Sequence, residues 1–277
     1  MISSVLIVGL GLMGSNLGLK LRSKGIKVYG EDTDQEAYIR ALNSGAIEKE
    51  STKDVDLIIL SIPINEIIKY LNNPPSEVRA KALIDLGGTK QKICKLMDES
   101  EVPSVGGHPL CGVADNSIFE NNANLYSNST FILSETASTN EEAKSLALEM
   151  VKLINANPIW LDPTAHDEII AITSHIPHLI STALIGAVMK THQLDEIMEF
   201  TSGGFDGATR LSRTNPDMIW GMLETNGKSI GNFGEKFLEE LRDIIFMEQG
   251  SDLHKYIEST VEWRREIANR FGERALE

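Results

Sequence analysis

His108 stands in the segment GGHPLCG, where glycines leave room around the imidazole and Pro109 fixes the backbone that follows. An imidazole with a reference pKa near neutrality can take the proton of a hydroxyl whose carbon is giving up hydride. The alternative is a loop histidine satisfied by hydrogen bonds. A second group is DPTAHDEIIAITSHIPHLIS, residues 162 to 181, in which Asp167, Ala171 and His175 recur every four residues and share a slowly drifting helix face. Asp162 or Thr164 can cap that helix, with Pro163 near its first position. Pro177 offers no N–H to the carbonyl of Thr173, and its ring crowds that turn. A kink is therefore expected beside His175 and His178, as a pocket wall. Zinc is a competing use of these histidines, but neither a His-Glu-x-x-His pattern nor a nearby cysteine supports it, and no metal is expected. The third group, TSGGFDGATRLSRTNPDMIW at residues 201 to 220, carries Arg210 and Arg213 behind Gly203, Gly204 and Gly207. An arginine fork suits a carboxylate, although either arginine can also serve as a surface partner of acids.

These groups are far apart in the chain, so a scaffold must return them to one place. Its strongest sign is SVLIVGLGLMGSNLGLKLRSKG, residues 4 to 25. The β-favouring run Val5 to Val8 meets Gly9, Gly11 and Gly14, and the helical pattern of Leu12, Met13, Leu17 and Leu21 starts inside the glycines. This is a G-x-G-x-x-G turn between strand and helix. Gly9 permits the tight turn, Gly11 lets a pyrophosphate approach the backbone, and Gly14 lets helix and strand pack closely, with Gly18 extending that contact. The phosphates are expected on the free N–H groups of the first helical turn, at Leu12 and Met13, where the dipole is positive. A second strand, Lys27 to Gly30, ends in Glu31 and Asp32. Asp32 follows Gly14 by 18 residues, near the separation of about 20 expected of the acid that binds the adenosine ribose. A carboxylate accepts from a 2′-hydroxyl and repels a 2′-phosphate, and no arginine follows at once, so NAD is expected rather than NADP.

The pattern of strand, glycine or proline exit and helix then repeats. Asp34 to Leu42 reads as a helix, and Asp56 to Ile62 as a strand buried on both faces. That strand leaves through Pro63, making Ser61, Ile62 and Pro63 a candidate cofactor wall at the sheet's C-terminal edge. Asn65 to Leu71 is a short helix, Ala82 to Leu86 a strand running into Gly87-Gly88-Thr89-Lys90, and Val102 to Val105 a short strand before Gly106. Phe131 to Leu133 and Ile159 to Leu161 flank a helix from Glu141 to Ile154, for which Thr139 and Glu142 can form a capping box. Such alternation implies an α/β fold with a doubly wound, mostly parallel sheet. After Asp162 the periodicity becomes helical, over Ala165 to Met189, Gly231 to Met247 and Asp252 to Phe271. The expected division is a dinucleotide-binding domain at 1–161 and an all-helical domain at 162–277. The helical part is expected to complete the site and to pair two subunits in a homodimer.

The 277 residues suffice for a substantial core. With 26 basic against 40 acidic residues the net charge is −14, which disfavours nucleic acid or an anionic membrane as a partner. Cys94 and Cys111 have no metal-site or disulfide spacing, no apolar run is expected to reach the roughly 18 residues of a span, and the N-terminus is itself a strand. A cytoplasmic location is expected.

Read together, GLGLMG, DLGGTK, HPLCG, HD followed by SHIPH, and ATRLSRTNPDMIW resemble, in order, the motifs of the prephenate and arogenate dehydrogenases of tyrosine biosynthesis. The resemblance covers about residues 4 to 226. It implies a Rossmann domain followed by a helical dimerisation domain. The activity it implies is an oxidative decarboxylation with NAD or NADP, giving 4-hydroxyphenylpyruvate from prephenate or tyrosine from arogenate. In this resemblance His108 matches the histidine that assists deprotonation of the ring hydroxyl, and Arg210 matches the arginine that binds a substrate carboxylate. His175 and Asp167 match pocket-lining positions, and Gly203 a glycine near the substrate. Trp220 matches a family tryptophan, for which core packing is expected.

Two positions depart from the family pattern. Many members have Ser-Val before the lysine corresponding to Lys90, the serine contacting the catalytic histidine or substrate. Here Gly88-Thr89 stands there, so either the Thr89 hydroxyl substitutes or that bond is absent. Ala114, with Asp115 beside it, replaces a glutamate of an ionic network at the pocket mouth. No regulatory domain or fused mutase is recognisable, so any tyrosine inhibition should act at the active site. A β-hydroxyacid dehydrogenase, an imine reductase and a non-catalytic NAD-binding sensor remain alternatives on a similar architecture.

Overall fold

The computed structural model of the chain describes residues 1–49, 52, 54–75, 77–111, 121–248 and 250–271. Ala114 and Asp115 lie outside the described residues. Two compact units are present, one spanning Met1–Ile230 and one starting at Gly231.

The first unit is organised by a seven-stranded sheet of order β2-β1-β3-β4-β5-β6-β7. Its elements are β1 Ser4–Val8, α1 Leu12–Ser23, β2 Lys27–Glu31, α2 Gln35–Asn43, β3 Asp54–Leu60, α3 Ile64–Asn72, β4 Arg79–Asp85, α4 Gln91–Met97, β5 Ser104–Pro109, β6 Thr130–Glu135, α5 Glu141–Leu153 and β7 Asn157–Trp160. Strand side chains alternate between faces. Val5, Ile7, Leu57, Ile59 and Ile84 share one core with Leu17 and Leu21 of α1 and Leu146 and Met150 of α5. Leu6, Ile58, Leu60 and Leu83 share another with Ile67 of α3 and with Ile93 and Met97 of α4. Coverage of both faces explains why these strands read as unbroken apolar runs, and it makes the sheet doubly wound.

β1 to β5 are parallel, whereas β6 is antiparallel to β5 and β7 is parallel to β6. One consequence corrects the reading of the chain around His108. The strand does not stop near Val105: β5 runs on through Gly106, Gly107 and His108 because β6 pairs with it, His108 opposite Ile132 and Pro109 opposite Phe131. Its glycines serve close packing rather than a loop. A Cβ at Gly107 would lie 2.4 Å from the Asp85 carbonyl oxygen, and one at Gly106 2.6 Å from Cys94 Sγ. The expected capping box before α5 is also replaced. Asn140 caps the helix by accepting from the Ala143 N–H at 2.8 Å, while the Thr139 hydroxyl donates to the Ser104 carbonyl.

A second consequence concerns the helices that follow. Because β7 runs opposite to β1 to β5, it ends at the sheet edge away from the glycine turn. There α6, Pro163–Ile170, begins, capped by Asp162, which accepts from the Thr164 and Ala165 N–H groups. This helix runs back beside α4 toward the glycine-turn edge. The expected break at Pro177 takes the form of a π-helical turn, Ala171–His175, before α7, Ile176–Thr191. A π turn accommodates the missing N–H by an extra residue. The run Pro163–Thr191 is long and apolar enough to cross a membrane, yet it holds His166, Asp167 and His175 buried within this unit. Next come α8 Leu194–Met198, α9 Gly203–Thr209, a 3-10 turn Arg210–Arg213 and α10 Pro216–Phe246, which is kinked at Asn226 (φ −129°, ψ 22°).

The second unit contains the C-terminal part of α10 and α11, Ser251–Phe271. Leu238, Ile245 and Phe246 on the former, and Ile257, Trp263 and Ile267 on the latter, are exposed.

Candidate active site

The C-terminal edge of β1 carries the glycine turn. Gly9 adopts φ +97°, and a Cβ there would lie 2.4 Å from the Ser61 carbonyl oxygen; one at Gly14 would lie 1.9 Å from the Gly9 carbonyl oxygen. Nothing lies within 4 Å of a Cβ built at Gly11, which occupies the N-cap of α1 without any side-chain cap. Space above Gly11 therefore adjoins the uncapped amides of Leu12 and Met13. Gly18 packs on the Ala46 carbonyl rather than on the strand. Asp32 follows β2 and is tied to the turn, its carboxylate accepting from the Leu10 N–H at 2.6 Å and the Asp34 N–H at 2.8 Å. Each carboxylate oxygen keeps a further lone pair for a ribose hydroxyl. Ser61 and Ile62 leave β3 against Gly9, with Pro63 at the N-cap of α3. The Ser61 hydroxyl is buried and has no hydrogen-bond partner among the described residues. An orphaned hydroxyl, an open cradle and an uncapped helix fit a dinucleotide's pyrophosphate.

On the same edge β5 presents His108, half-buried. His108 Nδ1 lies 2.9 Å from His166 Nε2, and His166 Nδ1 lies 2.8 Å from Asp167 Oδ1. Asp167 is fully buried and holds the start of α4 as well, accepting the Lys90 N–H at 2.7 Å and the Gln91 N–H at 2.9 Å. Its carboxylate is thus spent inside the protein rather than on a pocket surface, in contrast with the pocket-lining position expected for it. Asn226, at the kink of α10, donates to the Asp167 carbonyl at 2.7 Å and lies 3.2 Å from His175 Nδ1. His175 is itself buried and, with His178, Leu179 and Met222, lines a narrow crevice. Beneath the histidines the Lys90 ammonium donates to the Asp85 carboxylate, both fully buried, and Asp85 also accepts the Gly87 and Gly107 N–H groups.

Burial, reinforced by the neighbouring His166, the Lys90 ammonium and His175, pushes the His108 pKa well below its ordinary value. His166 is also lowered, burial outweighing the bond to Asp167. His175 falls to about 4, again mainly through burial. All three imidazoles are therefore neutral at neutral pH, the state in which one can accept a proton.

Other expected residues fall elsewhere. The Thr89 hydroxyl is buried and lies 2.9 Å from the Thr225 hydroxyl. Among the described residues no hydrogen bond joins Thr89 to His108. Arg210 and Gly203 sit at the 3-10 turn and at the start of α9, both packed on α7. Among the described residues no hydrogen bond joins either to the histidine cluster, although α7 begins beside His175. Trp220 is 65% exposed rather than packed in the core. Sequence reasoning did not single out His166, Asn226 or the Lys90–Asp85 pair. The adjacent His166-Asp167 dipeptide was the one available signal.

Two family models match this chain: "Prephenate dehydrogenase, nucleotide-binding domain" over residues 17–160 and "Prephenate dehydrogenase, dimerization domain" over residues 162–259. The prephenate dehydrogenase of Bacillus subtilis (strain 168) is 26% identical over 279 residues, covering 94% of this chain and 75% of that protein. That of Lactococcus lactis subsp. cremoris (strain MG1363) is 28% identical over 256 residues, covering 87% and 70%. The crystal structure of prephenate dehydrogenase from A. aeolicus in complex with hydroxyphenyl propionate and NAD+ is similar with a TM-score of 0.86 at 25% identity, covering 96% of this chain and 99% of that one. With both halves matched in order, the chain belongs to the prephenate dehydrogenase family.

Proposed function

We propose that this protein catalyses the NAD-dependent oxidative decarboxylation of prephenate or arogenate. The observation that carries the reading is His108, a neutral imidazole at the end of β5, on the sheet edge that also holds the uncapped glycine turn. Gly9, Gly11, Leu12, Met13 and Gly14 cradle the pyrophosphate, Asp32 takes the adenosine ribose, and Ser61, Ile62 and Pro63 form the wall. When bound, NAD supplies the acceptor for the hydride on the ring carbon that bears the hydroxyl. His108 takes the proton of that hydroxyl. As the ring carboxylate departs as carbon dioxide, the electrons of the broken C–C bond restore the aromatic ring, and His108 returns its proton to the new phenol oxygen. Arg210 holds a substrate carboxylate, with Gly203 and His175 near the substrate.

The division at residue 162 is supported by the two family models, which meet there, and pairing into a homodimer by the exposed apolar side chains of α10 and α11. The test is steady-state NAD reduction by the purified protein with prephenate and with arogenate, each repeated with NADP. One of the substrates should support turnover, with NAD favoured. Absence of turnover with both substrates and both cofactors would refute the proposal. His108→Asn should retain NAD binding and lose about 10²- to 10⁴-fold in turnover.

A further inference from the structure

We propose that His166, held by Asp167, fixes His108 as the tautomer protonated on Nδ1, so that Nε2 is the nitrogen free to accept a proton. The inference rests on His108 being the proton acceptor of the reaction proposed above. His166 is then a positioning residue.

The assignment follows from the order of donors and acceptors. Asp167 accepts two backbone N–H groups, from Lys90 on Oδ1 and from Gln91 on Oδ2, so both its oxygens serve as acceptors. Its Oδ1 lies 2.8 Å from His166 Nδ1, so that nitrogen carries a hydrogen. The buried, neutral His166 must then present a bare Nε2, and His108 Nδ1, 2.9 Å away, must donate to it. The reverse arrangement would set the bare Nδ1 of His166 against the Asp167 carboxylate, two acceptors face to face with no water between them. A doubly protonated His166 is opposed by burial and by the Lys90 ammonium. His108 is left with a bare Nε2 that faces position 88. A Cβ built on Gly88 meets that nitrogen at 3.9 Å and no other atom within 4 Å. The base therefore opens onto space that the missing side chain provides.

The same order serves the charged state. When Nε2 takes a proton, the new cation is shared along Nδ1–H to His166 and onward to Asp167. A carboxylate thus balances the imidazolium without standing beside the hydroxyl that must lose its proton.

Ring ¹⁵N NMR of the full-length protein at neutral pH, without substrate, reads the tautomer directly, with His108→Asn assigning the signals. The expected spectrum shows His108 protonated at Nδ1 and bare at Nε2, and His166→Ala should convert it to a mixture. In kinetics, His166→Ala should lower kcat by about 10- to 100-fold, the range for losing an orienting partner, with KM values nearly unchanged. His166→Gln, whose amide oxygen can accept from Nδ1, should recover part of that loss. A wild-type His108 protonated at Nε2, or a tautomer unmoved in both variants, overturns the inference. Should His166→Ala fail to fold, the wild-type spectrum and His166→Gln still decide. Absence of turnover in the wild type would instead refute the proposed function, while the spectrum would continue to report on the tautomer.

Discussion

The carboxylate of Asp167 accepts the backbone N–H of Lys90 at 2.7 Å across 77 positions of sequence. With the Gln91 N–H at 2.9 Å it makes Asp167 the N-cap of α4, a helix whose own N-cap residue, Lys90, supplies no side-chain cap. A helix in the region matched by the nucleotide-binding family model therefore begins on a side chain from the region matched by the dimerization model.

Replacing that charge should be costly. Asp167→Asn sets an amide NH₂ against N–H donors and leaves one of them without an acceptor in a buried place. A loss of about 2 to 4 kcal/mol is expected from removing charge-assisted bonds of this kind. The urea midpoint of wild type and variant measures it, and a change within ordinary surface-mutation scatter would contradict the capping role.

The glycines of the turn should separate by function. Gly14→Ala places a methyl 1.9 Å from the Gly9 carbonyl oxygen and should destabilise the fold. Gly11→Ala meets no atom within 4 Å, so stability should fall by less than about 1 kcal/mol while NAD affinity drops, because the methyl occupies the open cradle. Thermal melts with NAD titrations on both variants check the contrast.

Stability should fall as pH drops from 6.5 to about 4, through His175. Its folded pKa is depressed, so in that window the unfolded chain binds a proton the folded one refuses. The stability present above 6.5 is lost on the way down to about 4 and amounts to about 3 kcal/mol. His108 and His166 act in the same direction. Urea titrations at several pH values should show a shallower slope for His175→Gln than for wild type.

Much of the cofactor half was legible because its signals are local. The spacing from Gly9 to Asp32 is a property of one strand-turn-helix-strand unit, and the structure ties its ends together through the Leu10 N–H. His108 was legible as a residue but not as part of a strand, because what extends β5 is its antiparallel pairing with β6, a partner no local pattern announces. His166 escaped notice for a related reason. A four-residue stripe picks out Asp167, Ala171 and His175, whereas the importance of His166 comes from a ring 58 positions upstream. Trp220 was misjudged because its bulk predicts burial, and in this chain it is 65% exposed.

Arg210→Ala should raise the KM for the decarboxylated substrate strongly and leave NAD affinity nearly unchanged. The arginine opens the 3-10 turn Arg210–Arg213, which packs on α7. Comparable weakening of substrate and cofactor, measured by steady-state kinetics and by NAD titration, would contradict its assignment to a substrate carboxylate.

The return of α6 to the cofactor edge has a mechanical consequence. Two backbone bonds to Asp167, one buried and one partly buried, and a pair of imidazoles fasten this helix to β5 and α4, which disfavours a pivot where the sequence changes character, near residue 162. The first joint free of those fastenings is the π turn at Ala171–His175, where the helical ladder is already widened. A motion about this joint would displace the elements that follow it, Arg210 among them, and leave His108, His166 and Asp167 in register, the arrangement on which the proposed role of His108 depends.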